Sequence, residues 1–307
     1  MKILILGAGG IGGYFGAHLI RAGVDITYLV RDKRKALIDA EGLRIETPQG
    51  SFMVRPRTIT AKDLQPEYDL IILAPKSYDL DDALHSLKGA LGQGFILPFL
   101  NGLDHLDKQD KLLGKERVMG GVAHIAATIT TEGTVRQLTE MHRLTVGARH
   151  PSHLQLVTEF IALCDKTPFD SVLAQNIEQV LWDKWVFLAT LAGVTTLCRG
   201  SVGEIVATLY GKAITVQMYQ ECCHIASASG YPVSADVSEK ALELLTATGS
   251  SFTASMLRDL LDGRPTEHDH ILGALVRRGH NLGCSAPFIS LAHTHLEVEA
   301  LRTPPKS

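Results

Sequence analysis

The sequence predicts an α/β protein with two domains, an N-terminal domain built on a parallel sheet and a C-terminal domain that is all helical. A short apolar run at residues 3–6 leads into a glycine-rich turn and an amphipathic segment, which is the order strand, turn, helix. Two further short apolar runs, at 69–74 and 95–100, have the composition of buried parallel strands. The rest of the chain shows helical periodicity, so the domains are predicted to span 1–174 and 175–307.

The glycine-rich turn has the spacing Gly-x-Gly-x-x-Gly. Between a strand and a helix, this spacing is typical of a Rossmann-type dinucleotide-binding domain. Its glycines permit the tight turn, the approach of a pyrophosphate and the packing of helix on strand. The phosphates would bind at the helix N-terminus, where backbone N–H groups lack partners. The predicted cofactor-binding residues of this turn are Gly7, Ala8, Gly9, Gly10, Ile11 and Gly12.

The residue that ends the second predicted strand indicates which dinucleotide is bound. This strand, residues 24–30, is rich in β-branched and aromatic residues and ends at Arg31, where NAD sites usually carry an acid for the ribose 2′-hydroxyl. A cation suits the 2′-phosphate of NADP, so NADP is favoured and Arg31 is predicted to bind it. Asp32, one residue later, keeps NAD as the alternative. Lys33 and Lys35 have the pattern of a solvated first turn of the next helix.

Composition excludes several classes of function. The chain has a net charge of −3 and a pI near 6.5, which provides no general attraction for nucleic acid or for an anionic membrane. Its longest apolar run, residues 185–198, is shorter than the roughly 18 residues of a membrane span. Five cysteines without a Cys-x-x-Cys pair indicate thiols in a reducing compartment, so we expect a soluble cytoplasmic protein. Histidine pairs spaced by two point to different faces of a helix, so no metal site is predicted.

Two polar residues follow predicted strands of the N-terminal domain. Lys76 lies just beyond the run 69–74, and Asn101 lies just beyond 95–100. Because ligands of open α/β sheets bind beyond the carboxyl ends of the strands, both are predicted to face the cofactor, with an ordinary loop role as the alternative.

The other segments of this domain are predicted to complete the sheet and its helices. Alternating runs at 42–47 and 51–57 predict a hairpin, and 118–147 predicts an antiparallel addition at the edge of the sheet. Helices are predicted at 33–40, 80–91 and 151–163, and the last residues, 303–307, are predicted to fray.

One charged side chain is anomalous in the helical domain. Lys184 lies in a helix, beginning near 176, that is otherwise apolar on nearly all sides. Such an ammonium must face a cleft or a partner, because burial without one lowers a lysine pKa by several units; a side chain that reaches solvent is the alternative. Glu267 is predicted to lie in the first turn of a later helix, where an acid is favourable in any case. Further helices are predicted at 203–229, 238–246 and from about 251.

The chain resembles the ketopantoate reductase (2-dehydropantoate 2-reductase) family over essentially its full length. The matching positions are Gly7, Gly9, Gly12, Arg31, Lys76, Asn101, Gly102, Leu181, Trp182, Lys184, Ser255, Met256, Thr266, Glu267 and Asp269. The resemblance implies NADPH-dependent reduction of the ketone of 2-dehydropantoate to (R)-pantoate, a step toward pantothenate and coenzyme A.

The resemblance also implies roles for these residues. Lys184 is the expected acid, which stabilises and protonates the carbonyl oxygen as hydride reaches the carbon, and desolvation would lower its pKa toward neutrality. Glu267 would orient Lys184 or contact the substrate, and Ser255 would bind the substrate carboxylate. Asn101 and Lys76 would lie near the nicotinamide, and Asn101 and Lys184 are expected to contact the substrate as well.

Three positions depart from the family pattern. Asparagines are common in the family one and two turns after the lysine and three residues before the serine, where this chain has Leu188, Ala192 and Phe252. Thr195, one turn further, is predicted to restore one substrate contact. Lost hydrogen bonds to a polar substrate cost about 1–3 kcal/mol each, so a reductase of a more apolar 2-keto acid is the alternative. A non-catalytic NADP sensor is a third hypothesis, against which the lysine and the glutamate argue, and the helical domain offers surfaces on which two copies could form a homodimer.

Overall fold

The computed structural model describes residues 1–87 and 92–302. The chain divides into two compact units, and the short segment Asn101–Asp104 belongs to the second, although the sequence analysis assigns it to the first domain. The end of the predicted helix at 88–91 and the predicted frayed tail at 303–307 lie outside the described residues. The first unit contains Met1–Leu100 and His105–Ile177, and the second contains Asn101–Asp104 and the chain from Glu178 onward.

The first unit contains both strands and helices, and the described residues of the second form helices joined by turns. The strands β1 to β10 are Lys2–Leu6, Asp25–Leu29, Leu43–Thr47, Gly50–Val54, Arg57–Ile59, Leu70–Leu73, Phe95–Pro98, Gly120–Ile129, Val135–Gly147 and Asp170–Ala174. The helices α1 to α12 are Gly10–Arg21, Asp32–Glu41, Leu80–Ser86, Asp104–Leu113, Leu154–Cys164, Ile177–Cys198, Val202–Val206, Gly211–Ala228, Ala235–Leu245, Ser255–Leu261, Ala274–Asn281 and Pro287–Arg302. Short 3₁₀ segments lie at Ala61–Asp63, Ser77–Asp79, Lys115–Arg117 and Pro151–His153, and a π-helical turn lies at Asp269–Gly273.

The first sheet is parallel and has the strand order β5-β2-β1-β6-β7. In the order in which the chain visits them, these strands are 3-2-1-4-5, which is the order of a Rossmann fold. Both faces of the sheet are covered: Ile3 and Ile5 belong to one apolar core, and Leu4 belongs to another on the opposite face. Such two-sided burial explains why the strands are almost wholly apolar. The predicted fold class is confirmed.

A second sheet corrects the expectation for residues 118–147. The strands β8 and β9 do pair antiparallel, but they join β3, β4 and β10 in a separate five-stranded sheet instead of extending the first. The predicted hairpin is the antiparallel pair of β3 and β4. Residues 12–19 of α1 are all buried, and side chains of α1 share one apolar core with both sheets. A helix buried on all sides needs a layer on each face, and the second sheet supplies the outer one.

The second unit is organised around α6. This helix is long and apolar enough to cross a membrane by length and composition, but 67% of its most apolar window is buried inside the protein, as in the core helix of a folded domain. The single helix predicted at 203–229 is two helices, α7 and α8. Residues 207–210 separate them, and a side chain at Gly211 would clash with the backbone of Ile205, so glycine permits the close approach of α7 and α8.

Candidate functional site

The glycine-rich turn of the first unit has the geometry that its spacing predicts. Gly7 has a φ of +96°, which favours glycine, and its N–H donates to the carbonyl of Leu29 at 3.1 Å, which ties the turn to β2. A Cβ on Gly12 would clash with the carbonyl oxygen of Gly7 and lie 3.0 Å from Ile5 Cγ2. Glycine at this position therefore lets α1 pack directly on β1.

The start of α1 fits a phosphate group. Gly9 is the N-cap residue, no side chain caps the helix, and the first turn contains no acid. The first backbone N–H groups of a helix have no partner within it, so those of α1 remain for an anion. A Cβ on Gly9 would meet no atom closer than Ile129 Cδ1 at 3.9 Å, so packing within the chain does not require glycine there. Close approach of a ligand to the backbone would require it.

The predicted cation Arg31 follows β2 and is already paired. Its side chain is 74% exposed, and Nη2 lies 3.0 Å from Asp79 Oδ1 and 3.1 Å from Asp82 Oδ2. Hydrogen bonds to Asp79 and then to Asp82 hold the pKa of Arg31 above its ordinary value. The segments that follow β2 and β6 thus meet at the carboxyl edge of the first sheet.

Arg34 is a functional candidate that the sequence analysis missed. It is partly buried, donating from Nη2 to the carbonyl of Ala8 at 2.9 Å and from Nη1 to the carbonyl of Gly133 at 2.7 Å. The sequence contains a signal that could have found it: Arg34 lies four residues before the buried Ile38, so both occupy the inward face of α2. Lys33, as predicted, is exposed.

Lys76 also lies at the carboxyl edge of the first sheet. It follows β6, is partly buried, and precedes the 3₁₀ segment Ser77–Asp79 as its N-cap residue. Gly7, Arg31 and Lys76 therefore follow β1, β2 and β6, which are neighbours in the sheet. Of the predicted cofactor residues, Asn101 alone belongs to the second unit.

Lys184 and Glu267 are electrostatically coupled in the second unit. Burial lowers the pKa of Lys184 from 10.5 to about 8, and the carboxylate of Glu267 acts in the opposite direction. Glu267 is 8% exposed. Glu267 lies just before the helical segment that begins at residue 268, instead of in its first turn. Its carbonyl accepts the first helical hydrogen bond, from the N–H of Ile271 at 3.0 Å. An ammonium beside a buried carboxylate can bind an anion and donate a proton.

The π-helical turn Asp269–Gly273 holds Glu267 in place. The indole of Trp185, which follows Lys184 on α6, donates to the carbonyl of Ile271 at 2.9 Å in the buried interior. Asp269 accepts from Arg277 Nη1 at 2.6 Å. The middle of the turn is therefore tied to the helix that carries the lysine and its first residue to α11, which is consistent with the frequent occurrence of π-helical turns at functional sites.

Asn101 is held by a neighbouring histidine, whereas Ser255 is exposed at the start of a helix. The backbone of Asn101 is hydrogen-bonded to the ring of His270, and Gly102, with φ of +76°, packs against the same histidine. Burial lowers the pKa of His270, and the nearby Glu267 carboxylate opposes this shift. Ser255 is the first residue of α10 and is exposed.

The structure contradicts the prediction for Thr195. Its side chain is fully buried, and its hydroxyl donates to the carbonyl of Leu191 at 2.6 Å, so it presents no free group to a substrate. Ala192 is buried as well, whereas Leu188 remains partly exposed. Phe252 is 41% exposed and stacks on Phe187, with ring centroids 6.2 Å apart at an angle of 28°.

The fold and these sites define a Rossmann-type oxidoreductase with a helical second domain. The chain belongs to the ketopantoate reductase family. The sequence profile of "Ketopantoate reductase PanE/ApbA" matches residues 3–151, and that of "Ketopantoate reductase PanE/ApbA C terminal" matches residues 176–299.

Individual relatives extend over the whole chain. The protein is 30% identical to the "Uncharacterized oxidoreductase YkpB" of Bacillus subtilis, over 97% of this chain and 98% of the relative. It is 29% identical to the 2-dehydropantoate 2-reductase of Pyrococcus horikoshii, over 94% and 93%. A PanE/ApbA family ketopantoate reductase from Ralstonia eutropha has a similar structure, with a TM-score of 0.88, 26% identity and 99% of each chain covered. D-mandelate dehydrogenase, solved with NADH and anilino(oxo)acetate, shares the fold with a TM-score of 0.88 at 21% identity and 99% of each chain covered.

Proposed function

We propose that the protein reduces 2-dehydropantoate to (R)-pantoate with NADPH. The observation that carries this proposal is the placement of Lys184 on the apolar helix α6 with the buried carboxylate of Glu267 acting on it, where burial lowers the lysine pKa to about 8. A lysine with this pKa is mostly protonated at neutral pH and is a much stronger acid than an ordinary lysine, as a general acid for carbonyl reduction must be. Relatives such as the Pyrococcus horikoshii protein, named 2-dehydropantoate 2-reductase, support the choice of substrate.

The residues of the chain have separable tasks in this reaction. Bound NADPH supplies the hydride. Lys184 stabilises the negative charge that grows on the carbonyl oxygen and delivers a proton to it, and Glu267 holds the ammonium in position. Ser255 and Asn101 bind the substrate, and the start of α1, with Lys76, binds the dinucleotide. Lys184 then takes a proton from solvent and is ready for the next turnover.

The proposed function, together with the cysteines, also suggests the cellular compartment of the enzyme. The five cysteines of the chain are all free thiols. Free thiols persist in a reducing compartment, and pantoate synthesis needs a supply of reduced dinucleotide, so we place the enzyme in the cytoplasm.

A second candidate function is the reduction of a more apolar 2-keto acid by the same residues. The stacked rings of Phe187 and Phe252, together with the partly exposed Leu188 one turn after Lys184, favour it because they offer apolar surface where the family commonly has asparagines. The fold itself does not choose between substrates, since D-mandelate dehydrogenase shares it.

A substrate panel tests both candidates. The purified protein is given NADPH with 2-dehydropantoate and with straight-chain, branched and aromatic 2-keto acids, and kcat/KM is measured from the loss of reduced nicotinamide. The first proposal expects 2-dehydropantoate to be the best substrate. A branched or aromatic acid that is better by about tenfold or more supports the second candidate. The variant Phe252→Asn, which restores the family's residue, should then shift the preference back toward 2-dehydropantoate. If none of these acids causes NADPH to be oxidised, both candidate functions are contradicted.

A further inference from the structure

Arg34 carries a positive charge that no carboxylate among the described residues compensates. Its guanidinium is partly buried and donates to the carbonyls of Ala8 and Gly133. Within residues 1–87 and 92–302, no carboxylate forms an ion pair with Arg34, and its buried Nε has no hydrogen-bond partner. Two of the five guanidinium N–H groups are therefore used, the Nε–H is buried, and one N–H on each of Nη1 and Nη2 remains for a ligand.

The setting of Arg31 is electrostatically different. Arg31 is exposed and contacts both Asp79 and Asp82, so the three side chains together carry a net charge of about −1. A phosphate ester brings about −1.5 to −2 charges and would be repelled by the two carboxylates. The contacts of Arg34 are neutral carbonyls, so its local charge is about +1 and favours an anion.

The position of Arg34 indicates which anion it would take. It lies in the first turn of α2, directly after β2, where a Rossmann fold recognises the 2′-position of the adenosine ribose. Its hydrogen bond to Ala8 places the guanidinium beside the glycine turn itself. We propose that Arg34 binds the 2′-phosphate of NADPH and provides most of the discrimination against NADH. The inference rests on the proposed use of NADPH and names the residue that distinguishes NADPH from NADH.

Equilibrium binding to the full-length protein tests this assignment. The dissociation constants of NADPH and NADH are measured by titration, together with those of adenosine 2′,5′-bisphosphate and AMP as probes without a nicotinamide. Arg34→Gln removes the charge but keeps an amide that can donate to the Ala8 carbonyl. We expect this variant to raise the dissociation constants of NADPH and of the bisphosphate by about 10- to 100-fold. The dissociation constants of NADH and AMP should change by less than about twofold. Lys33→Gln, an exposed cation of the same turn, is the matched control and should leave the ratio unchanged.

Each other outcome has a definite meaning. If the unmodified protein binds NADPH no more tightly than NADH, the proposed use of NADPH fails, and this inference fails with it. If the unmodified protein prefers NADPH and Arg34→Gln weakens the binding of both dinucleotides equally, Arg34 only supports the glycine turn. In that case this inference alone is overturned. Loss of the preference in Arg31→Gln, with the preference kept in Arg34→Gln, overturns it as well. If Arg34→Gln does not fold, Arg34→Lys replaces it: the charge is kept without the planar fork, and a reduced but measurable preference for NADPH is expected.

Discussion

The lowered pKa of Lys184 predicts a specific pH dependence of the reduction. As the proposed general acid, Lys184 must be protonated when hydride is transferred, so kcat/KM should fall as the pH rises through the pKa of Lys184 in the free enzyme. Burial lowers that pKa to about 8. The rate should therefore be nearly constant below pH 7 and fall about tenfold for each pH unit well above 8. A lysine with the ordinary pKa of 10.5 would keep the rate constant to about pH 9.5.

Replacing Glu267 tests the physical cause of the shift. The carboxylate of Glu267 raises the pKa of Lys184 against the effect of burial, so its removal in Glu267→Gln should lower that pKa further. The alkaline limb of the rate profile should move to a lower pH, with the plateau rate reduced because the ammonium is less well held. The aspartate variant, Glu267→Asp, keeps the charge and should leave the limb closer to its original place.

The assay is kcat/KM measured from pH 6 to 10 at constant ionic strength, with dinucleotide binding measured at the same pH values so that a loss of cofactor is not mistaken for a loss of acid catalysis. A limb near pH 10, or one that does not move in Glu267→Gln, would refute the reasoning. The first result would mean that Lys184 is solvated during catalysis, and the second that Glu267 does not act on it.

Three further predictions concern single side chains. Lys184→Ala should lower turnover by about 10²- to 10⁴-fold while the dissociation constant of NADPH stays within about twofold, as measured by steady-state rates and binding titration. Gly12→Ala should destabilise the protein by about 1–3 kcal/mol in urea unfolding, because the new methyl group would clash with the Gly7 carbonyl; Gly9→Ala meets no such contact and should keep the stability but weaken dinucleotide binding. His18 is 4% exposed and burial lowers its pKa to about 4, so the folded state disfavours its protonation. Stability should fall by up to about 3 kcal/mol as the pH drops from 6.5 to 4, and His18→Phe, compared by urea unfolding at both pH values, should show less of this loss; an equal loss in both proteins would contradict it.

Local signals predicted much of the first unit. The glycine turn, the apolar central strands and the hairpin of β3 and β4 each depend on a few neighbouring residues, and the structure contains them where the sequence predicts. The placement of β8 and β9 in a second sheet depends on pairing with β3 and β10, which are distant in the chain. Strand-like patterns do not specify their partners, so the sequence predicted the strands but not their sheet.

For the candidate site too, some features could be predicted from the sequence and others depended on the tertiary structure. The sequence by itself determined which residues are candidates for the chemistry, because a lysine in an apolar helix and a glycine turn between a strand and a helix are recognisable without neighbours. Only the tertiary structure decided what these groups experience. It lowered the pKa of Lys184, paired Arg31 with two carboxylates, gave Arg34 two neutral carbonyl partners and placed Thr195 in the interior. Burial, ion pairing and side-chain direction are set by contacts between segments far apart in the chain, and the strength of each electrostatic effect depends on how much water those contacts remove.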